Sequence, residues 1–183
     1  MEPVTPDMLM TLLARLGERC VQETRLYLLG GSALRLLGSP RETLDVDYTA
    51  ETPPETAMLF REALAQLADE FRLDLEEVPL AEFVPLPPLA HERHRFIGRF
   101  GLLTVYLFDP YSIALSKIAR GFESDLEDVL FLLRTDVIEF ALLEQFFRSV
   151  LPRASQADID PNEFQAYFLE IRHRYRQTRH INP

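Results

Sequence analysis

Asp45 and Asp47, one residue apart, and the run Gly30-Gly31-Ser32 a short way upstream are the residues of this chain best suited to chemistry. In an extended strand side chains alternate sides, so Asp45 and Asp47 face one way while Leu44, Val46 and Tyr48 face the other. Glycines that follow an apolar strand let the backbone come close to a ligand, because no Cβ blocks the approach. A helix starting there aims unpaired N–H groups and the positive end of its dipole at an anion. Two carboxylates on one face beside such a turn are what a protein needs to hold Mg²⁺ against a nucleoside triphosphate.

The elements around these residues fit that use. A short apolar strand is predicted at 26–29, then the Gly-Gly-Ser turn. A short helix over 33–37 is closed by Gly38-Ser39-Pro40, and the acidic strand runs over 43–49. Before them, Thr5-Pro6-Asp7 caps and opens an amphipathic helix to about Arg19, with Leu9, Leu12, Leu13 and Leu16 on one face. After them, Pro53-Pro54 leads into a helix ending near Glu70, and a third strand is predicted over 72–78. Residues 79–88, rich in Pro and Leu, read as a packed loop. The segments flanking Gly101, 94–100 and 102–108, read as a β-hairpin. The rest is helical: 109–120 stopped by Gly121, 124–133, 136–150, a polar linker over 151–161, and 162–176.

Composition narrows the classes. At 183 residues with 47% hydrophobic and 26% charged residues, the chain can build an ordinary globular core. Its net charge of −10 argues against broad, charge-driven nucleic-acid binding, though not against a local basic patch. Cys20 stands alone, so no internal disulfide forms. The start lacks the basic and apolar regions of a signal peptide, and no apolar run approaches the ~18 residues of a membrane span. We therefore expect a cytoplasmic protein without a membrane partner. Eighteen of the 19 basic residues are arginine, and Lys117 is the only lysine, which marks that position as one that uses a compact ammonium.

Gly30-Gly31-Ser32 followed by Thr43-Leu44-Asp45-Val46-Asp47 resembles the signature of the DNA polymerase β-like nucleotidyltransferase superfamily. There the Gly-Ser turn holds triphosphate and the Asp-x-Asp pair holds catalytic metal. Downstream, Asp109-Pro110-Tyr111-Ser112-Ile113-Ala114-Leu115-Ser116-Lys117-Ile118-Ala119-Arg120-Gly121, then Asp125-Leu126-Glu127-Asp128, resembles bacterial minimal nucleotidyltransferase-like families that include AbiE-type abortive-infection toxins. The likeness covers about 26–133. It implies an α+β nucleotidyltransferase (polymerase β-like) fold, a small mixed β-sheet flanked by helices and followed by a C-terminal helical region. On that plan 1–108 is the core and 109–183 is a helical region packed on it.

The resemblance also implies roles. Gly30, Gly31 and Ser32 cradle the triphosphate of an NTP, and Asp45 and Asp47 hold Mg²⁺ or Mn²⁺. Lys117, with Asp125 or Asp128, completes the nucleotide site. The family's third carboxylate falls to Asp74, with Glu76 on the same face as second choice. The implied reaction moves a nucleoside monophosphate to a hydroxyl of RNA (a tRNA end) or of a protein, with a toxin role beside an antitoxin partner as the more specific form. The alternative is a catalytically inactive nucleotide-binding or protein-interaction module on the same fold. A nucleotide-sugar transferase is weaker, because no longer sugar-binding region is present.

Each candidate has a plainer explanation. Lys117 can be a solvated helix residue, Asp125 a helix-start acid, and Asp128 a surface partner for Arg120 or Arg134. Arg41 can steady a phosphate or simply pair with the carboxylates. His91 and His94 lack the further ligands of a zinc site. The basic run over 172–180 can meet RNA phosphates or be a solvated or disordered tail. Cys20 has no histidine near it in sequence, and neither a Gly-x-Ser-x-Gly elbow nor a Walker-type loop is present.

Overall fold

Five strands, β1 (Thr24–Leu28), β2 (Asp45–Glu51), β3 (Asp74–Glu77), β4 (Arg95–Phe100) and β5 (Leu103–Leu107), form one sheet in the order β3-β2-β1-β5-β4. β1 runs antiparallel to β2 and parallel to β5, β2 is parallel to β3, and β4 is antiparallel to β5. This is the α+β class with a mixed sheet flanked by helices. The structure, a computed structural model, describes residues 3–181, with side chains through Thr178. The chain forms two compact units. One comprises the chain up to Val78 together with His94–Phe108, and the other comprises Pro79–Arg93 and the chain from Asp109 onward.

The first unit holds the sheet with α1 (Pro6–Arg19), α2 (Gly30–Leu36) and α3 (Ala57–Phe71). The Thr5 hydroxyl accepts from the Met8 N–H at 3.2 Å and so caps α1, with Pro6 in the first turn. Leu9, Leu12, Leu13 and Leu16 are buried, each contributing about 1.5–3 kcal/mol as an upper estimate. α1 lies so close to β4 that a Cβ on Gly17 would overlap the Phe100 backbone. Leu26, Leu28, Val46, Tyr48, Leu103, Val105 and Leu107 make the buried face of the sheet. The alternate residues of β2, Asp45, Asp47, Thr49 and Glu51, lie on the other, open face. In β4 a bulge between Phe96 and Gly98 shifts the register.

The second unit contains α4 (Leu80–Phe83), α5 (Pro110–Arg120), α6 (Glu123–Arg134), α7 (Phe140–Val150) and α8 (Pro161–Ile181). Asp109 caps α5 by accepting from the Tyr111 and Ser112 N–H groups, and Gly121, at φ 69°, ends it. A Cβ on Gly121 would overlap the Tyr167 ring, so glycine also lets α8 approach. Phe147 stacks on Phe168 at 4.0 Å and meets Phe164 edge-on at 4.8 Å.

Several local expectations change. Gly30-Gly31-Ser32 is the first turn of α2 rather than a turn ahead of it. Residues 79–88 are irregular from Val84 onward but carry α4 as one helical turn, and a 3₁₀ turn follows at Ala90–Arg93. The expected linker at 151–161 begins as a 3₁₀ helix, Leu151–Ala157, with Ala154 fully buried. α7 starts later than the predicted 136, since Asp136 adopts a left-handed conformation at φ 55°. The basic run continues α8 instead of fraying into a tail, and Tyr175 stacks on Phe140 at 5.4 Å. The side chains of Arg179 and His180 at its far end lie outside the described residues. Among the described residues no helix is long and apolar enough to cross a membrane.

Candidate nucleotide site

The two motifs of the first unit meet side by side. The Leu29 N–H donates to the Asp47 carbonyl at 2.9 Å, which ties the end of β1 to β2 just where α2 begins. Gly30 has φ +55°, and a Cβ there would collide with the Asp47 carboxylate. A Cβ on Gly31 would stand 2.8 Å from Thr43 Oγ1, 2.9 Å from Thr43 Cβ and 3.5 Å from an Arg41 guanidinium nitrogen. The glycines therefore clear the space in which Asp47 and Thr43 stand, with Arg41 beside them. Thr43 in turn donates its hydroxyl to Asp45 Oδ1 and orients that carboxylate. Thr43 was not among the sequence candidates, although its place two residues before Asp45 puts it in line with both aspartates.

Parallel pairing of β2 with β3 sets Asp45 opposite Asp74 and Asp47 opposite Glu76. Paired residues point to the same face, so all four carboxylates stand on one side of the sheet. Asp74 joins Arg41, Glu42, Thr43, Leu44 and Asp45 in lining a cleft of about 330 Å³. Among the described residues no three His, Cys, Asp or Glu side chains are gathered into a metal cluster. Asp74 and Glu76 are brought beside the aspartate pair by backbone register, and both side chains are exposed. The oxygen-only donor set fits a hard divalent cation, which needs one or two carboxylates when substrate phosphates supply further ligands.

Ser32 behaves differently from its neighbours. It is fully buried, and its hydroxyl donates to the Leu29 carbonyl at 3.1 Å. In this arrangement its proton turns into the helix, while the backbone of Gly30 and Gly31 stays partly accessible.

In the second unit Lys117, Asp125 and Asp128 form one buried cluster. Lys117 Nζ donates to Asp125 Oδ1 at 3.1 Å and to Asp128 Oδ2 at 2.7 Å, and all three side chains are no more than 4% exposed. Arg120 reaches Asp125 Oδ1 from the surface at 2.7 Å. Asp125 Oδ2 is buried with no hydrogen-bond partner, a costly state for a carboxylate oxygen. Lys117 is thus not a solvated helix residue. Asp128 pairs with it rather than with Arg120 or Arg134, and Arg134 stands instead near Glu127.

One strong polar pair had no motif to reveal it. Asp109, fully buried, takes a forked pair of bonds from Arg93, Nε to Oδ1 at 3.0 Å and Nη2 to Oδ2 at 2.8 Å. The Arg93 guanidinium also lies 4.3 Å from the Phe146 ring centroid and donates to the Pro88 carbonyl at 2.8 Å. This pair fixes residues 79–93 to the start of α5.

Comparison with known proteins follows the same lines. A family model described as "Nucleotidyltransferase of unknown function (DUF6036)" matches residues 8–176. The chain is similar to an antigenic nucleotidyltransferase-like protein from Paracoccidioides brasiliensis, at 20% identity and a TM-score of 0.46, over 70% of this chain and 76% of that one. No curated protein matches the sequence. The family match takes in the Gly-Gly-Ser segment, the acidic strand and the Lys117 helix together, and the chain belongs to the DUF6036 family of nucleotidyltransferases of unknown function.

Proposed function

We propose that this chain is a metal-dependent nucleotidyltransferase that moves a nucleoside monophosphate from an NTP to a hydroxyl of RNA, such as a tRNA end, or of a protein. The observation that carries the reading is the packing of Gly30 directly against the Asp47 carboxylate, which joins a phosphate-ready helix start to the acidic strand. Mg²⁺ or Mn²⁺, when bound at Asp45 and Asp47, supplies positive charge to the triphosphate and acidifies the attacking hydroxyl. Gly30 and Gly31 offer backbone approach to the outer phosphates, and Arg41 stands beside Gly31 to steady them. Thr43 keeps Asp45 in one rotamer. Asp74, in register with Asp45, is the carboxylate that takes the acceptor's proton. The acceptor oxygen bonds to the α-phosphorus as the bond to the bridging oxygen breaks, and pyrophosphate leaves. A toxin role of the AbiE type, beside an antitoxin, is the more specific form of this proposal.

The test is incubation with labelled NTPs, total RNA and cell extract. Label transfer that is lost in Asp45→Ala and Asp47→Ala supports the reading. Equal transfer by wild type and both variants overturns it.

One observation favours a second reading, a nucleotide-binding or protein-interaction module without turnover. Lys117 has its charge satisfied by two buried carboxylates inside the helical unit. That reading expects Mg²⁺-dependent thermal stabilisation by NTP with no release of pyrophosphate.

A further inference from the structure

The open face of the sheet carries more than the acidic pair. Along β2 the same face continues from Asp45 through Thr49 to Glu51, about 20 Å at ~3.3 Å per residue. On the strands beside it, register sets Tyr27 opposite Tyr106 and Phe96 opposite Tyr106. The Tyr27 and Tyr106 rings are stacked at 5.5 Å, and Phe96 meets Tyr106 edge-on at 5.9 Å. Phe96 is 63% exposed, far more than an aromatic ring in a closed core. At the end of this ladder a cleft of about 470 Å³ is lined by Arg25, Arg99, Glu23, Glu51, Thr104 and Tyr106 among others. Arg25 pairs with Glu51 and Arg99 with Glu23, at 3.3 and 3.2 Å, and all four side chains are more than half exposed.

Two accessible aromatic rings, Phe96 and Tyr106, backed by the buried Tyr27 and ending at two arginines, suit a ligand with flat faces and anionic links. Exposed ion pairs of this kind are weak, so a phosphate can take the arginine from its glutamate at little cost. Bases stack on exposed rings while arginines take the phosphates, a combination that single-strand binding surfaces use without needing a basic protein overall. Thr49 and Thr104, half-exposed on the same face, offer hydroxyls to a ribose 2′-OH.

We propose that this face binds single-stranded RNA, its bases on Phe96 and Tyr106 and its phosphates on Arg25 and Arg99, with the strand directed along β2 toward Asp45 and Asp47. The proposal rests on the nucleotidyltransferase reading for the use of that RNA as acceptor, and not for its binding.

The experiment measures anisotropy of a short, unstructured, fluorescein-labelled RNA with the full chain at low salt, without NTP. Wild type binds, and Phe96→Leu, which keeps apolar bulk but removes the ring, weakens binding about tenfold with an unchanged melting curve. Arg25→Ala/Arg99→Ala weakens it further and flattens the salt dependence by about two counterions. No binding by wild type, equal binding by Phe96→Leu, or equally tight binding of DNA of the same sequence overturns the proposal. Equal binding by Phe96→Leu means that the RNA sits elsewhere on the chain. RNA binding without any label transfer leaves this surface standing and removes the transferase reading. Transfer to an acceptor without RNA binding does the reverse.

Discussion

The carboxylate of Asp47 occupies the space in which a side chain on Gly30 would begin. Two constraints then act on one residue, the left-handed φ of +55° and the contact itself. The first costs a non-glycine residue about 1–2 kcal/mol and the second, as overpacking, about 1–3 kcal/mol. Gly30→Ala should lower the melting temperature by about 5–15 °C and abolish NTP-dependent stabilisation. Gly38, at φ +91° with nothing within 4 Å of a Cβ, is the control. Gly38→Ala should show only the backbone part of the loss, measured by thermal unfolding, and should keep the nucleotide response.

Removing the ammonium from the Lys117 cluster leaves two buried carboxylates facing each other. Lys117→Met should destabilise by about 3–5 kcal/mol in urea unfolding. Lys117→Met/Asp125→Asn/Asp128→Leu should recover a large share, because the uncompensated charge goes with the partner. If the single and triple variants unfold at the same urea midpoint, the cluster is not held by this pairing.

Burial pushes the phenols of Tyr27 and Tyr48 up to about 12, with Glu51 adding to the shift at Tyr27 and Glu77 at Tyr48. The folded chain keeps these protons when the unfolded chain has lost them, so stability falls as pH rises from about 10 toward 12. A phenolate absorbance titration should show two late tyrosines, and Tyr48→Phe should remove one of them. Release of all tyrosine protons in a single step near 10, with the fold intact, would contradict this.

Arg174 fastens α8 to α6 by donating to both Glu123 oxygens, while its Nε–H donates to Glu170 one turn earlier on α8 itself. The hydrogen bonds from Arg174 hold the Glu123 carboxyl below its ordinary range, and the same bonds raise the Arg174 guanidinium. The contribution is present at neutral pH and is lost as pH falls through the lowered Glu123 value. Carbon-detected titration should find Glu123 below the other exposed glutamates, and Arg174→Gln should return it to them. The pair is exposed, so molar salt should shrink the difference.

The sequence made the positions of the strands, the facing of Asp45 and Asp47, and the caps at Thr5 and Asp109 legible, because each rests on local periodicity or on a residue's own backbone preference. Gly30 read as a turn because glycine signals freedom without saying what takes up the space. Only the structure shows Asp47 there. Lys117 stood out by rarity, but burial beside Asp125 and Asp128 depends on how α5 and α6 pack, which no spacing along one helix reveals. Residues 79–88 failed to read as partly helical for a related reason. Their order comes from Arg93 holding Asp109 and from Arg153 donating to the Leu86 carbonyl at 2.9 Å, contacts between distant parts of the chain.

The chain passes from one unit to the other at Val78, returns at His94 and leaves again after Phe108, and the bond from Arg93 to Asp109 joins the two pieces of the second unit. Neither unit is a continuous piece of polypeptide, so no single cut separates them cleanly. A fragment ending at 108 would carry residues 79–93 stripped of Asp109 and Arg153, with Arg93 keeping the Pro88 carbonyl but losing its carboxylate, while a fragment starting at 109 would begin with a buried carboxylate missing its cation. During synthesis the excursion emerges before the helices that complete it, and it stays unfinished until the C-terminal half has left the ribosome. Any tag, split or fusion of this protein has to respect three crossings rather than one boundary.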